Sequence, residues 1–237
     1  GALQETMGGR PYAVNVVSLA ENPCRQTHLA WIKQHRPRFV VIAGGNLSFA
    51  RELLECGLEV MYIAPDEALM RLALEAGVRY LICEGYEAGG HVGPHSTLTL
   101  AQMVLDLKRR QPALFRNCRL ILAGGIFNRE TAFMAAMLGA DAIQMGTAYL
   151  ATREIAATQA LTTLYQRMVL KSPPGGTVVS GQETGLRVRS LRSPRVEAIL
   201  SLEREFAAGR QDETAFRTSM EKMAARSLFA AARGLDR

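Results

Sequence analysis

The sequence predicts an α/β protein built on a parallel sheet, because short apolar runs alternate with amphipathic stretches along most of the chain. Six runs are aliphatic on both strand faces, as expected for strands that are covered on both sides. The runs are AVNVVSL from Ala13, FVVIAGG from Phe39, EVMYIAP from Glu59, YLICEGY from Tyr80, RLILAGG from Arg119 and AIQMGTAYL from Ala142. Strand followed by helix, repeated in this way, favours parallel strands joined by right-handed crossovers.

Helical patterns separate the runs, and they begin and end at residues suited to helix termini. Asp66 and Asn128 are predicted N-caps, since their side chains can accept a hydrogen bond from a free first-turn N–H. Gly57, Gly77 and Gly139 follow three helices and fit C′ positions, which favour left-handed φ. The predicted helices are Arg25–Arg36, Leu47–Cys56, Asp66–Ala76, Thr97–Arg110 and Asn128–Leu138.

Both an open doubly wound sheet and a (β/α)8 barrel accommodate this order, and two features favour the barrel. Glycines follow the carboxyl ends of the strands, at 44–45, 89–90, 124–125 and 146. The last two units also carry turns of the kind that bind phosphate, and barrels often place a phosphate site after strands seven and eight. Counting backward from there makes AVNVVSL strand three. We therefore expect a barrel that lacks its first one or two βα units, in a chain that is a piece of a larger polypeptide.

The alternation of apolar runs and amphipathic stretches stops after Tyr149, and no further strand-and-helix unit can be assigned there. Three segments follow: a helical stretch over 153–170, a loop-rich stretch over 171–193 marked by Pro and Gly, and helices over 193–237 with a break at Gly209. We therefore expect two parts. Residues 1–170 would form the incomplete barrel, and residues 171–237 a basic loop and C-terminal helices packed on it.

Composition excludes several classes of protein. The 237 residues are 48% hydrophobic and 21% charged, so a sizeable core is available and global disorder is excluded. No apolar run approaches the roughly 18 residues that a membrane span needs. Four cysteines are scattered without CxxC spacing, which indicates buried, reduced thiols and a cytoplasmic location. No His, Cys or carboxylate spacing indicates a metal site.

The net charge of +6 is concentrated near one segment. Residues 171–195 carry five lysines and arginines against one acid, Glu183. Such an excess suggests an anionic partner, which could be phosphate, a nucleotide-like carrier arm or an acidic protein. A solvated basic surface is the alternative. Nucleic acid is not expected, because no aromatic residues interleave with the arginines.

The densest group of chemically useful residues is the segment EGYEAGGHVG, which begins at Glu84 directly after a strand. Gly89 and Gly90 remove side chains where a ligand could approach the backbone. His91 then lies on a loop at the strand ends, and an imidazole is the natural acid or base near neutral pH. The alternative is a histidine that only hydrogen-bonds within its loop. His95 is assigned either to substrate contact or to loop structure.

Two consecutive strands end in turns that could bind a phosphate-bearing cofactor. Gly124 and Gly125 precede a helix whose N-terminal amides could hold phosphate. The next strand ends in Gln144-Met145-Gly146-Thr147, which offers an amide able to contact a ring edge, followed by N–H and hydroxyl donors. Tight packing of the strand ends is the alternative. Neither turn matches GxGxxG or GxxxxGK[ST], which disfavours dinucleotide and triphosphate sites of those types.

Asn15 is unusual because it interrupts an otherwise apolar strand. A buried amide needs hydrogen-bond partners. We therefore expect that a ligand at the carboxyl end of this strand supplies one.

On these residues the sequence resembles the nitronate monooxygenase (2-nitropropane dioxygenase) family, which includes flavin-dependent enoyl reductases. The matching segments are YAVNVVS, EGYEAGGHVG and LAGGIFNRETAFMAAMLGADAIQMGTAYLAT, in this order. The resemblance implies a TIM barrel with FMN at the carboxyl ends of the strands, and His91 as the catalytic histidine near the flavin ring. The residues that it places at FMN are Asn15, Glu84, Gly89, Gly90, Gly124, Gly125, Gln144, Met145, Gly146 and Thr147. At Glu84, relatives often have Gln near the flavin.

The segments GGHVGPHSTLTL, MGTAYLAT and RSLFAAARGLDR are similar to flavin-dependent domains of multidomain polyketide and polyunsaturated-fatty-acid synthases. This resemblance implies reduction of an enoyl thioester by NADH or NADPH through FMN, on an acyl chain held by an acyl carrier protein, with other synthase domains as partners. Two alternatives stay open: oxidation of alkyl nitronates by O₂, and an inactive barrel that serves as a scaffold or carrier-binding module. A homodimer is a further arrangement that stays open.

Overall fold

The computed structural model describes residues 2–19, 22–158 and 161–220, with side chains described from Glu5 onward. The chain forms two compact units. Unit 1 comprises Gly1–Tyr86 and Pro94–Gln144, and unit 2 comprises Glu87–Gly93 and Met145–Arg237. The boundaries of these units differ from the domain boundary expected at residue 170, and that expected division into a barrel and a C-terminal part stays a prediction.

A six-stranded parallel sheet forms the centre of unit 1. Its spatial order is β1-β2-β3-β4-β6-β7, so each strand lies beside the next strand of this unit in chain order. A sequential order of strands is typical of a barrel wall, whereas in a doubly wound sheet the strand order reverses at a switch point. The predicted α/β architecture of the barrel class is therefore confirmed. The strands are β1 Ala13–Val17, β2 Phe39–Ala43, β3 Glu59–Ile63, β4 Tyr80–Glu84, β6 Arg119–Ala123 and β7 Ala142–Gln144.

The five predicted helices of unit 1 are confirmed to within two residues, together with their termini. Asp66 accepts a bond from Leu69 N at 2.9 Å, and Asn128 accepts one from Thr131 N at 2.9 Å. The glycines at 57, 77 and 139 have φ of +72°, +89° and +82°, as C′ positions require. The helices of this unit are α1 Ala2–Met7, α2 Arg25–His35, α3 Leu47–Glu55, α4 Glu67–Glu75, α5 Thr97–Arg110 and α6 Arg129–Met137.

The strands differ in how many of their faces are covered. In β2 and β3 buried and half-buried residues alternate, so that Ile42 and Val60 are buried while Val41 and Met61 are half-buried. The middle of β4 and most of β6 are buried on both faces. The expectation of two covered faces is therefore confirmed for β4 and β6 and wrong for β1 to β3, whose second face no described element fully covers.

Unit 2 contains a three-stranded antiparallel sheet that the sequence did not predict. Its order is β5-β9-β8, and it lies partly in the segment expected to be a loop, so that expectation is wrong. Thr-Val-Val-Ser and Val-Arg-Ser-Leu form a hairpin there. The strands are β5 Gly90–His91, β8 Thr177–Ser180 and β9 Val188–Leu191.

The helical stretch expected over 153–170 is divided into two helices rather than one. The expected break at Gly209 is confirmed, since this residue has φ of +68° after the last turn of α10. A helical segment follows at 213–220, and the helices expected beyond it, at 221–237, lie outside the described residues. The helices of unit 2 are α7 Thr147–Leu150, α8 Arg153–Thr158, α9 Thr163–Lys171 and α10 Pro194–Ala207.

Two further findings concern the whole described chain. Within the described ranges, no helix combines the length and hydrophobicity needed to cross a bilayer. The four cysteines are free thiols, but only Cys83 is buried and Cys24 is exposed. The expectation of buried thiols is therefore confirmed for Cys83 and wrong for Cys24.

Candidate active site

The last residues of β4, β6 and β7 form a row across the sheet of unit 1. Glu84 is in register with Ala123, and Ala123 is in register with Gln144. Because the middle residue is only an alanine, the two longer side chains meet across it: Gln144 Nε2 donates to Glu84 Oε2 at 3.3 Å. The structure therefore joins two of the predicted site residues, 60 positions apart in the sequence, in one hydrogen bond.

Burial at this row changes the acidity of Glu84. It raises the pKa of the carboxyl group from its ordinary value to about 7, because the charged form loses hydration there. At neutral pH a substantial fraction of the molecules therefore carries a protonated Glu84. In this form the carboxyl group can donate a hydrogen bond, which an ionised carboxylate cannot do.

The turn after β6 is fixed by contacts within the protein. Gly124 has φ of +99°, and a Cβ added there would lie 2.8 Å from Thr97 Oγ1 and 3.1 Å from the backbone of Gly85. Thr97 Oγ1 in turn donates to the carbonyl groups of Ala123, at 3.2 Å, and of Gly124, at 2.9 Å. Sequence reasoning missed Thr97, although a threonine in the first turn of a helix beside two strand-end glycines is a recognisable pattern.

Several backbone amides at the N-terminus of α6, which the sequence suggested for phosphate binding, are already hydrogen-bonded within the protein. Thr131 Oγ1 accepts from the N–H groups of Phe127 and Asn128, at 3.1 and 3.2 Å. The N–H of Thr131 is occupied by the Asn128 side chain in the same capping box. A phosphate bound here would therefore need the amides of the glycine turn, Gly124 and Gly125, or the remaining first-turn amides of Arg129 and Glu130.

The environment of Asn15 differs from the buried environment that the sequence predicted. It lies on β1, the edge strand of the sheet, and its side chain is exposed rather than buried. The expectation of a buried amide is therefore wrong. The physical reason is that no described residue covers the face of β1 that also carries Ala13 and Val17. Its contact with FMN stays a prediction.

His91 lies in the short strand β5 of unit 2, paired with Val188 of β9. Its side chain is exposed, and its ring has no hydrogen-bond partner within the described part of the chain. The hydrogen bond that a structural histidine would make within its loop is therefore not seen among the described residues, and the catalytic role of His91 stays a prediction. His95 differs, because its carbonyl accepts from Tyr86 N at 2.7 Å and so closes the loop through the backbone.

Two glycine-containing segments of unit 2, the one before β5 and the one after β7, lie next to each other. A Cβ added at Gly89 would lie 3.2 Å from Thr147 Oγ1, so these two positions are neighbours. Gly146 has φ of −110°, which any residue can adopt, and among the described residues no atom lies within 4 Å of a Cβ built there. Neither backbone conformation nor packing requires glycine at 146. The open space beside it can take part of a ligand.

Comparison with known proteins identifies the class of this arrangement. The family model for nitronate monooxygenase matches residues 11–233. The chain belongs to the nitronate monooxygenase family. This family and the solved structure named FabK are flavin oxidoreductases, so the family expectation from the sequence is confirmed at this level.

Three relatives illustrate the match. A Mycobacterium tuberculosis (3aS,4S,5R,7aS)-5-hydroxy-7a-methyl-1-oxo-octahydro-1H-indene-4-carboxyl-CoA dehydrogenase is 29% identical over 93% of this chain and 59% of its own length. FabK from Thermotoga maritima has a TM-score of 0.81 and 27% identity, over 99% of this chain and 68% of the other. The enoyl reductase domain of MlnA from Bacillus amyloliquefaciens has a TM-score of 0.73 over 93% of this chain and 61% of the other, and its 16% identity shows similarity of fold alone.

The chain spans about 59% of the length of the Mycobacterium tuberculosis dehydrogenase. Within each unit, taken by itself, the strand-end residues have chemistry that suits a flavin, and their contact with FMN stays a prediction. Glu84 and Gln144 offer a protonatable oxygen and an amide to the edge of a ring. Gly146 leaves space, and Thr147 adds a hydroxyl donor that a phosphate can accept from.

Proposed function

We propose that this protein is an FMN-dependent oxidoreductase that reduces the double bond of an enoyl thioester with NADH or NADPH. The observation that carries the proposal is the row Glu84–Ala123–Gln144, which ends three parallel strands. Such carboxyl ends are where barrel enzymes bind their ligands. The relatives support the choice of substrate. The similarity to FabK supports enoyl reduction, and the Mycobacterium tuberculosis relative is named as acting on a CoA thioester.

The predicted site residues then receive distinct roles. Gln144 and Glu84 contact the flavin ring edge, and the glycines at 89, 90, 124, 125 and 146, with Met145 and Thr147, contact FMN through backbone or hydroxyl groups. Bound FMN would supply the hydride chemistry between the nicotinamide and the β-carbon of the enoyl group. The overall reaction consumes one NAD(P)H and one proton for each double bond reduced.

His91 supplies or directs the proton in this proposal. Its exposed ring, without a partner in the described residues, can protonate the α-carbon or polarise the thioester carbonyl. Glu84 holds a further proton near neutral pH, because burial raises its pKa to about 7. An acyl carrier protein or other synthase domain is proposed as the source of the thioester, with the basic segment 171–195 as the surface for an acidic partner.

Anaerobic spectroscopy tests the proposal. Purified protein with FMN should lose its flavin absorbance on addition of NAD(P)H and regain it on addition of an enoyl thioester. His91→Gln should lower kcat by about 100-fold or more, as loss of a general acid does. His95→Gln is the matched control and should leave kcat unchanged, because His95 acts in its loop through the backbone.

Two other outcomes would overturn this proposal. Oxygen consumption with a nitroalkane in the absence of NAD(P)H would assign the protein to nitronate oxidation. Failure to bind FMN at all would favour a scaffold or carrier-binding module.

A further inference from the structure

The turn after β7 leads directly into α7, which is a helix of a single turn in unit 2. Helices this short are unstable by themselves, because the first turn fixes several residues for one hydrogen bond. Gly146 at the N-cap has no side chain that could cap the helix, and none of the residues of Thr147–Leu150 is buried. Neither capping nor a buried side chain therefore holds α7, which leaves hydrogen bonds at its C-terminal end as its attachment to the rest of the unit.

Gln166 of α9 makes two hydrogen bonds at that end. Its Nε2 donates to Leu150 O at 2.9 Å and to Thr152 O at 3.3 Å. Gln166 is also the buried residue of α9, whereas Leu164 and Met168 of the same helix are exposed. Because burial of an amide costs free energy unless its hydrogen bonds are made, the buried place on α9 is used for these two bonds rather than for apolar packing.

The two carbonyl groups depend on Gln166 to different degrees. Thr152 O also accepts from Ala156 N at 3.3 Å and would keep this donor without Gln166. Leu150 O has Gln166 Nε2 as its one donor within the described ranges. Removing the amide therefore leaves the last carbonyl group of α7 unpaired and removes the hydrogen bond that joins α7 to α9.

The N-terminal end of α7 carries residues that are proposed to contact FMN. Tyr149 N donates to Gly146 O at 3.0 Å, so Gly146 and Thr147 belong to the same turn of backbone as the C-terminal end. A Cβ added at Gly89 would lie 3.2 Å from Thr147 Oγ1, so this end of α7 lies against the segment that leads to His91. A helix of four residues is only about 6 Å long, so a shift at its C-terminal end moves the Thr147 hydroxyl as well.

We infer that Gln166 is a positioning residue for the cofactor: it holds α7 by its C-terminal end and so fixes the Thr147 hydroxyl and the open space beside Gly146 for the phosphate of FMN. This inference deepens the proposed function, on which it rests. A hydroxyl donor that is held in place before binding does not have to be ordered by the ligand, and such preorganisation strengthens binding. Gln166 acts through the backbone of α7 rather than by contacting the ligand.

Flavin binding by Gln166→Leu tests the inference. The substitution keeps most of the volume of the side chain and removes both donors. Quenching of flavin fluorescence should show that FMN binds at least about tenfold more weakly than to the wild type, because the Thr147 hydroxyl is no longer held in place. Riboflavin, which lacks the phosphate, should change in affinity by less than about twofold. In the flavin-free protein, the backbone amides of residues 149–152 should exchange with deuterium at least about tenfold faster, which reports the attachment of α7 directly.

Gln166→Glu gives a readout that a merely structural role would not change. A protonated carboxyl group can donate one hydrogen bond to Leu150 O, whereas an ionised one can donate none. Burial raises the pKa of a carboxyl group toward neutrality. The FMN affinity of this variant, divided by that of the wild type at the same pH, should therefore rise at least about threefold as the pH falls from about 8 to about 5. The same ratio for Gln166→Leu should stay constant.

Two control variants of unit 2 separate this role from general effects. Gln182→Leu makes the same chemical change at an exposed glutamine whose side chain makes no hydrogen bond within the described part of the chain. Phe216→Leu removes the ring that stacks on Phe206 of α10, with 4.3 Å between the ring centroids, and so lowers stability through a different contact. Both variants should keep an FMN affinity within about twofold of the wild type.

Four results would overturn the inference. Gln166→Leu binds FMN as tightly as the wild type does, or FMN and riboflavin lose affinity equally. The amides of residues 149–152 exchange at the wild-type rate in Gln166→Leu. The affinity ratio of Gln166→Glu does not depend on pH. Phe216→Leu loses as much FMN affinity as Gln166→Leu.

These measurements do not require turnover, so they separate the role of Gln166 from the proposed reaction. A protein whose FMN affinity depends on Gln166, but which does not return electrons from flavin to an enoyl thioester, retains the positioning role and loses that reaction. A protein that reduces enoyl thioesters, and whose FMN affinity is unchanged by Gln166→Leu, retains the reaction and loses the positioning role.

Discussion

The turn after β6 and the turn after β7 both contain glycine at the carboxyl end of a parallel strand, yet for different physical reasons. At Gly124 the backbone is left-handed and the space for a side chain is already filled by Thr97 and Gly85. At Gly146 the backbone is ordinary and the neighbouring space is open among the described residues. The fold requires the first glycine, whatever contact its backbone makes with FMN, whereas the fold does not require the second. Strand-end glycines in one motif therefore need not share a function.

The largest effect on stability is expected at the turn after β6. Gly124→Ala combines a left-handed φ of +99° with a Cβ 2.8 Å from Thr97 Oγ1, so strain and overpacking add. We expect a loss of about 4 kcal/mol in the free energy of unfolding. Urea denaturation measures it. A loss below about 1 kcal/mol would show that this glycine is not required by the fold.

The next effect is a change in how stability depends on pH. The pKa of Glu84 is raised to about 7 in the folded protein, above its ordinary value, so the native state binds more protons than the unfolded state between these values. The free energy of unfolding therefore falls as pH rises through this window, by up to about 3 kcal/mol, and the cost persists above pH 7.

Glu84→Gln should remove this loss, so that the variant gains stability relative to wild type as pH rises from about 5 to 8. Glu130→Gln, at an exposed carboxylate in the first turn of α6, is the control. Thermal unfolding across this range measures both. A constant difference between Glu84→Gln and wild type at all pH values would contradict the buried protonated carboxyl group.

A smaller effect is expected from the hydroxyl that fills the space at Gly124. Thr97→Val keeps the volume of the side chain but removes the donor to the carbonyl groups of Ala123 and Gly124. We expect a loss of about 1.5 kcal/mol, because the carbonyl of Gly124 loses its donor, while the carbonyl of Ala123 keeps the N–H of Gly85. Thr99→Val, at an exposed position of the same helix, should cost less than about 0.5 kcal/mol. Equal losses would remove the distinct role of Thr97.

The elements that local patterns determine were predictable, and those that depend on distant pairing were not. The strands of unit 1 and the caps at Asp66 and Asn128 follow from hydrophobic runs and side-chain chemistry within a few residues. The hairpin of β8 and β9 was missed because Pro and Gly surround it. Its pairing with Gly90–His91 also joins segments about 100 residues apart.

The candidate site shows the same division. The residue types at Glu84, His91 and Gln144 were found by their position after strands, whereas the hydrogen bond between Glu84 and Gln144 depends on a register through Ala123 that the sequence does not encode locally. Asn15 was misjudged because an apolar strand was taken to be covered on both faces, and β1 is an edge strand.

The most direct test of the account is FMN binding by Gly146→Ala. A methyl group here adds no backbone strain and meets no described atom within 4 Å, so the free energy of unfolding should change by less than about 0.5 kcal/mol. Quenching of flavin fluorescence should nevertheless show FMN binding at least about tenfold weaker than in the wild type, because the methyl group occupies the ligand's space. Wild-type affinity in this variant would contradict the assignment of the turn after β7 to the cofactor.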